Sequence, residues 1–161
     1  LKIISAKTAS LFAAATKVGS ILSKKENKTK EALEFYGKNL GLTFQIADDA
    51  LDYNSELKFF GKEIGNDFYE GKITLPIILL YQKSNSNEKK DLKELFLKQD
   101  RSENEFKKVL SLIKKYNIIS DCYEKAKYFI NLASNSLSIF EESKEKNIFQ
   151  NLTSFSLKRN Y

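Results

Sequence analysis

The stretch YGKNLGLTFQIADDALDY, residues 36–53, decides how this chain folds. Its apolar residues recur at spacings of three and four, which is the period of an α-helix. The same spacing extends upstream and predicts one long helix from Thr29 or Lys30 to Tyr53. The apolar positions are Leu33, Tyr36, Leu40, Phe44, Ala47 and Leu51.

The remaining sequence also favours helices. The 161 residues include only six glycines and one proline, which leaves few breakers for a sandwich or barrel. Gly37 and Gly41, four residues apart, predict that a second helix packs closely against the long one. The fold class expected is therefore all-α, a helical bundle in a single domain. Further helices are predicted at Ser5–Leu22, from Thr74 onward, and at Glu88–Lys98, Ser102–Tyr116, Ile118–Glu142 and Lys144–Lys158. Thr74 is a candidate N-cap and Ser102 with Glu105 has the spacing of a capping box. Tyr128 is expected in the core.

The segment from Asn54 to Lys72 lacks this periodicity. It contains Gly61, Gly65 and Gly71, so it is predicted to be a long ordered loop or lid. Long loops in compact domains are frequently functional.

Composition excludes several classes of site. The chain has no histidine, so imidazole is not available as a base or a ligand, and Cys122 alone forms neither an internal disulfide nor a cysteine zinc site. The net charge is +6, but lysines alternate with glutamates along the chain, which favours solvated helix faces over a nucleic-acid surface. No stretch has the length of a membrane span or the pattern of a signal peptide, which favours a cytoplasmic location.

Three aspartates interrupt the apolar pattern of the long helix. Asp48 and Asp52 are one turn apart on the same face, Gln45 precedes them on that face, and Asp49 lies to the side. Carboxylates so close raise one another's pKa unless a cation neutralises them. Without histidine or cysteine, the cation expected is hard: Mg²⁺, with Mn²⁺ as the other choice, bound together with a diphosphate.

Lysines bracket the aspartates in sequence. Lys7 and Thr8 stand side by side in an apolar first helix, and Lys62 and Lys72 each follow a glycine in the irregular segment. A lysine offers a point charge to a phosphate, so these positions predict an anion site. Taken one at a time, each motif fits an ordinary solvated face equally well.

The joint order of three motifs is more specific. KTASLF, then YGKNLGLTFQIADDALDY, then GKEIGNDFYEGKITLPIIL resembles the C-terminal half of the trans-isoprenyl diphosphate synthases, most closely the long-chain bacterial group. The match runs from Lys7 to about Leu80. The resemblance implies a helical bundle in which two aspartate-rich motifs grip the diphosphate of an allylic substrate through Mg²⁺, and isopentenyl diphosphate attacks the resulting carbocation.

The resemblance also implies roles for individual residues. The stretch matches the second aspartate-rich motif, so Asp48, Asp49 and Asp52 would serve a metal ion, Asp48 most directly. Asp67 would orient Lys62 or the ions. The residues implied to contact the allylic diphosphate or its ions are Lys7, Thr8, Gln45, Lys62 and Lys72, and Thr8 and Gln45 would also accept or relay the departing proton.

Part of the family pattern is missing from this sequence. The first aspartate-rich motif, the arginine pair after it and the basic residues that hold isopentenyl diphosphate have no counterpart here. The chain is therefore expected to be half of an enzyme, inactive alone, which forms a homodimer or pairs with an N-terminal half. Three alternatives stay open: a non-catalytic small subunit, a class I terpenoid enzyme with one aspartate motif, and a nucleic-acid binder.

Overall fold

The computed structural model describes residues 1–54 and 64–157. Over these ranges the chain forms helices and turns without a strand, which confirms the all-α prediction. Within the same ranges no helix combines the length and apolar character that a membrane crossing requires.

Nine α-helices occupy the described ranges. They are α1 (Lys2–Ile4), α2 (Ser10–Leu22), α3 (Asn27–Leu51), α4 (Asn66–Tyr69), α5 (Leu75–Lys83), α6 (Ser86–Leu97), α7 (Glu103–Lys115), α8 (Ile118–Ser136) and α9 (Lys144–Leu157). A π-helical turn, Ser5–Ala9, joins α1 to α2, and a 3₁₀ turn, Leu137–Ile139, follows α8.

The chain divides into two compact units. Among the described residues, the first comprises Leu1–Ala47 together with the chain from Glu124 to Leu157, and the second lies within Asp48–Tyr123. Helices α3 and α8 each contribute residues to both units.

Two glycines of α3 allow α2 to pack closely in the first unit. A Cβ added at Gly37 would lie 2.4 Å from the carbonyl oxygen of Phe12, and one at Gly41 would lie 2.7 Å from the Cα of Ala9. The Thr16 hydroxyl donates to the carbonyl oxygen of Leu33 at 2.6 Å. The predicted close approach of a second helix is thus confirmed, and this helix is α2.

Tyr36 is the centre of the first unit's core. Its ring is fully buried and packs edge-on against Phe149 at a centroid distance of 5.1 Å. Its hydroxyl donates to the Phe149 carbonyl oxygen at 2.8 Å, which satisfies the polar end of the side chain. The other buried members of this cluster are Leu40, Ile130, Ala133 and Leu137.

The second unit is built around Phe68. This ring is fully buried and contacts the rings of Tyr69, Phe96 and Phe106 at centroid distances of 5.4, 5.9 and 5.1 Å. Aromatic rings bury large apolar areas, so this cluster fixes α4 against α6 and α7.

Several predicted boundaries were wrong. Helix α3 spans Asn27–Leu51, not Thr29 or Lys30 to Tyr53, and a short helix, α4, lies within the segment predicted to be a loop. Helix α6 begins before the predicted Glu88, because Asn85 caps it: the Asn85 side chain accepts from the Glu88 N–H at 3.0 Å, and Glu88 accepts from the Asn85 N–H. Helix α8 ends at Ser136, not Glu142, because the chain tightens into a 3₁₀ turn and becomes extended at Phe140.

Other local predictions had mixed outcomes. The capping box of Ser102 with Glu105 is confirmed. Thr74 occupies the N-cap position of α5, although its side chain makes no capping hydrogen bond. Tyr128, expected in the core, is 60% exposed. The buried residues of α8 include Cys122, Ala126 and Ile130, and Tyr128 falls on the opposite helix face.

Candidate functional site

The aspartates lie at the C-terminal end of α3, in three different environments. Asp48 is exposed, Asp49 is 5% exposed, and Asp52 is partly buried just beyond the last helical residue. The Asp52 N–H donates to the Asp48 carbonyl oxygen at 3.3 Å, so the helical turn continues to Asp52. The predicted spacing of Asp48 and Asp52 by one turn is therefore present.

The Asp52 carboxylate accepts hydrogen bonds from the start of α4. It accepts from the backbone N–H groups of Gly65, Asn66 and Asp67 at 3.1, 3.1 and 2.8 Å. Burial raises the pKa of the Asp52 carboxyl, and these donors oppose the rise without cancelling it. No local sequence pattern predicts this contact, because it joins residues 13 to 15 positions apart.

Lys72 forms ion pairs with two nearby carboxylates. Its Nζ lies 2.6 Å from Glu70 and 3.2 Å from Asp67. Glu70 and then Asp67 raise the pKa of Lys72, so its ammonium stays charged. Asp67, which the resemblance connects with Lys62, contacts Lys72 among the described residues, and Lys62 itself lies outside them.

Arg101 was not singled out in the sequence, yet it fixes the turn before Lys72. Its Nη2 donates to the Phe96 carbonyl oxygen at 3.0 Å and its Nη1 to the Tyr69 carbonyl oxygen at 3.4 Å. The guanidinium also lies flat against Gly71, which has a φ of +72°, and a Cβ added there would lie 2.7 Å from Nη2. Glycine at this position supplies both the backbone angle and the space.

Replacing Arg101 by lysine should destabilise the second unit. A lysine cannot reproduce two donors directed at separate carbonyl groups, so we expect the free energy of unfolding to fall by about 1–2 kcal/mol. Urea denaturation of the parent and variant chains measures this. Lys107→Ala, which removes an exposed ion pair with Glu103, is the control and should cost only about 0.3–0.5 kcal/mol. Equal losses in the two variants would contradict the role given to Arg101.

Thr8 and Gln45 are in contact in the first unit. The Thr8 hydroxyl donates to the Gln45 Oε1 at 2.7 Å. Thr8 lies in the π-helical turn Ser5–Ala9, together with the exposed Lys7. Single π turns inside α-helices occur frequently at functional sites. This π turn contains Lys7 and Thr8, the two residues that the sequence pattern singles out in the first helix.

The carboxylates present suit a hard cation only in part. Among residues 1–54 and 64–157, no three His, Cys, Asp or Glu side chains converge into a group that could hold a metal ion. Asp48 offers an exposed carboxylate, and Mg²⁺ typically takes only one or two protein carboxylates plus waters and substrate phosphates. The donor chemistry therefore fits Mg²⁺ shared with a ligand better than Mg²⁺ held by protein alone.

Comparison with known proteins identifies the family. The family model described as polyprenyl synthetase matches residues 1–113. The chain belongs to the polyprenyl synthetase family. The resemblance seen in the three sequence motifs is thereby confirmed.

Individual relatives agree with this assignment. Octaprenyl diphosphate synthase of Haemophilus influenzae is 30% identical over 161 residues, which is 100% of this chain and 49% of that protein. Solanesyl diphosphate synthase 2 of Arabidopsis thaliana is 33% identical over 153 residues, or 95% of this chain and 36% of that protein. These relatives are polyprenyl diphosphate synthases, which transfer prenyl groups.

A solved structure shows the same fold. A polyprenyl synthase from Caulobacter crescentus, crystallised with calcium and isoprenyl diphosphate, superposes with a TM-score of 0.90 at 34% identity. The match covers 99% of this chain and 48% of that one. The chain spans about half the length of the relatives it matches, and this half is the C-terminal one.

Proposed function

We propose that this chain is the C-terminal half of a Mg²⁺-dependent polyprenyl diphosphate synthase. The complete enzyme would condense an allylic diphosphate head-to-tail with isopentenyl diphosphate. The observation that supports this best is the full-length match to the C-terminal half of a polyprenyl synthase crystallised with a divalent cation and isoprenyl diphosphate. The product's chain length is left open.

The chemistry requires charge neutralisation. An allylic diphosphate ionises only when the negative charge that develops on the departing diphosphate is stabilised. Bound Mg²⁺ would supply that stabilisation as a Lewis acid. Asp48, Asp49 and Asp52 are proposed to form this side of the ion site, and the exposed Asp48 carboxylate is the one best able to reach the ion.

The chain's other polar groups would hold the diphosphate. We assign this role to Lys7, Thr8, Gln45, Lys62 and Lys72. The hydrogen bond from Thr8 to Gln45 supports a joint role for these two, since it directs the amide oxygen of Gln45 toward the hydroxyl and so fixes the orientation of the amide. In the same role, Thr8 and Gln45 would relay the proton lost after condensation, with diphosphate as its acceptor.

Pairing with an N-terminal half is supported by an exposed apolar stripe on α2. Leu11, Val18 and Leu22 share one face at heptad spacing and are 73%, 48% and 77% exposed. Exposed apolar side chains aligned along one helix face are typical of an interaction site. In a complete synthase the N-terminal half would pack against the C-terminal half. Apolar surface that this contact buries is expected to be exposed when the C-terminal half is alone.

A reconstitution assay tests the proposal. The purified 161-residue chain, given allylic and isopentenyl diphosphates with Mg²⁺, should show no chain elongation, because no segment replaces the first aspartate-rich motif. Adding a separately produced N-terminal half from an octaprenyl diphosphate synthase should restore turnover. The N-terminal half alone is the control. The measurement is incorporation of labelled isopentenyl diphosphate into extractable product.

Three other outcomes would decide between alternatives. Turnover by the chain alone would show that it is not an incomplete enzyme. Stable pairing of the two halves without turnover would contradict the catalytic role. Co-purification with a larger, already active synthase, with no loss of rate when Asp48 is replaced, would identify a non-catalytic small subunit.

A further inference from the structure

The Asp52 carboxylate is held by the backbone at the start of α4. Its Oδ1 accepts from the N–H groups of Gly65 and Asn66, and its Oδ2 accepts from the Asp67 N–H. Its own carbonyl oxygen accepts a second bond from the Gly65 N–H at 2.8 Å. Four hydrogen bonds therefore join this one residue to three consecutive residues at the start of α4.

These bonds compete with metal coordination. A carboxylate oxygen has two lone pairs, and both lone pairs of Oδ1 are directed at backbone donors. A cation bound there would have to displace the Asn66 N–H group and the shared bond from Gly65, which would keep only its bond to the Asp52 carbonyl oxygen. Losing these hydrogen bonds is costly. The exposed Asp48 carboxylate has no such cost.

The contacts made by Asp52 lead directly to charged groups. Asp67, held through its N–H, forms an ion pair with Lys72 through its side chain, and its carbonyl oxygen accepts from the Lys72 N–H at 2.8 Å. Gly65 is fixed from the other side, because it has a φ of +90° and the Phe106 ring lies where a Cβ would be. The segment from Gly65 to Lys72 thus has a defined position that depends on Asp52.

We infer that Asp52 is a positioning residue and not a metal ligand: it fastens the segment bearing Asp67 and Lys72 to the end of α3. The inference deepens the proposed function and rests on it, since the position of Lys72 matters for turnover only if Lys72 meets the substrate diphosphate. Asp48 would then bind the ion, and Asp52 would affect turnover by positioning Lys72.

The first test uses the 161-residue chain and needs no turnover. Amide hydrogen exchange is measured residue by residue by NMR in the parent, Asp52→Ala, Asp52→Asn and Asp48→Ala. Asp52→Ala should speed exchange of the Asn66 and Asp67 amides about tenfold. The Gly65 amide should change less, because its bond to the carbonyl oxygen of residue 52 remains. Asp52→Asn retains an oxygen for two of the three donors and should affect chiefly Asp67. Unchanged exchange in both Asp52 variants would overturn the inference.

The second test separates positioning from metal binding. In the reconstituted enzyme, Asp52→Ala should raise the KM for the allylic diphosphate about tenfold or more, while the Mg²⁺ concentration that gives half-maximal rate stays that of the parent. Asp48→Ala should shift the Mg²⁺ requirement. A shift of the same size in Asp52→Ala would make Asp52 a metal ligand and overturn the inference.

Failure of the proposed function can be distinguished from failure of the inference about Asp52. If the reconstituted enzyme shows no turnover, Mn²⁺ binding to the 161-residue chain with inorganic diphosphate is followed by electron paramagnetic resonance. No Mn²⁺ binding by the parent would count against the proposed function, and the amide exchange result would still decide the positioning role. Mn²⁺ binding that Asp52→Ala weakens as much as Asp48→Ala would overturn the inference.

Discussion

Replacing Gly37 by alanine is expected to reduce the free energy of unfolding of the first unit by about 2–4 kcal/mol. The added Cβ would lie 2.2 Å from the Thr16 Oγ1, 2.4 Å from the Phe12 carbonyl oxygen and 2.8 Å from the Phe12 carbonyl carbon. Two of these three atoms are backbone, so a change of side-chain rotamer cannot relieve the clash. Helix α2 must move away from α3.

That movement has a further cost. The Thr16 hydroxyl spans the two helices through its bond to the Leu33 carbonyl oxygen, and Phe12 packs against the buried cluster that contains Tyr36 and Leu40. Separating α2 from α3 lengthens the hydrogen bond from Thr16 to Leu33 and opens space between Phe12 and the buried cluster. Both losses add to the overpacking, because interiors are close-packed and transmit such strain.

Gly19→Ala is the matched control for this prediction. Gly19 is also within a helix, α2, but a Cβ added there has no neighbour within 4 Å. Alanine should therefore raise the free energy of unfolding by about 0.5–1 kcal/mol, through helix propensity alone. Chemical denaturation followed by circular dichroism compares the three chains. Similar stability of Gly37→Ala and Gly19→Ala would show that α2 does not pack on α3 as described.

Much of the fold could be predicted because it depends on local signals. The three-and-four spacing of apolar residues determined α3, and Ser102 with Glu105 determined the start of α7, since a capping box is formed within four residues. The ends of α6 and α8 were mistaken for different reasons. The start of α6 has a local signal, because Asn85 and Glu88 have the spacing of a capping box. The end of α8 has none, because the tightening of the chain after Ser136 depends on packing of Leu137 in the core.

The candidate site divides in the same way. Lys7, Thr8, Gln45 and Asp48 are predicted as site residues from the order of the motifs and the resemblance that this order carries. The hydrogen bond between Thr8 and Gln45 brings two of these four residues together. The role of Arg101 could not be predicted from sequence order and spacing, because its partner Gly71 lies 30 residues away. Its guanidinium also contacts backbone atoms, which every residue possesses. Interactions with backbone leave little trace in a single sequence.

In the reconstituted enzyme, Asp48→Ala is expected to lower kcat/KM by about 100- to 1,000-fold, the usual effect of removing one group that stabilises developing charge. Asp48 is exposed at the end of α3, so its removal should change the free energy of unfolding by less than about 0.5 kcal/mol. A loss of rate without a loss of stability would place the defect in the reaction. Added Mg²⁺ should recover part of the rate, because a weakened ion site fills at higher concentration.

Asp91→Ala is the matched control, because Asp91 is an exposed aspartate on α6 in the same unit. It removes the same charge from the chain and should leave the rate and the Mg²⁺ dependence as in the parent. Initial rates measured over a range of Mg²⁺ concentrations compare both variants with the parent. If Asp48→Ala matches Asp91→Ala in rate and in Mg²⁺ dependence, Asp48 does not serve the ion, and the exposed carboxylate at the end of α3 is only part of a solvated helix surface.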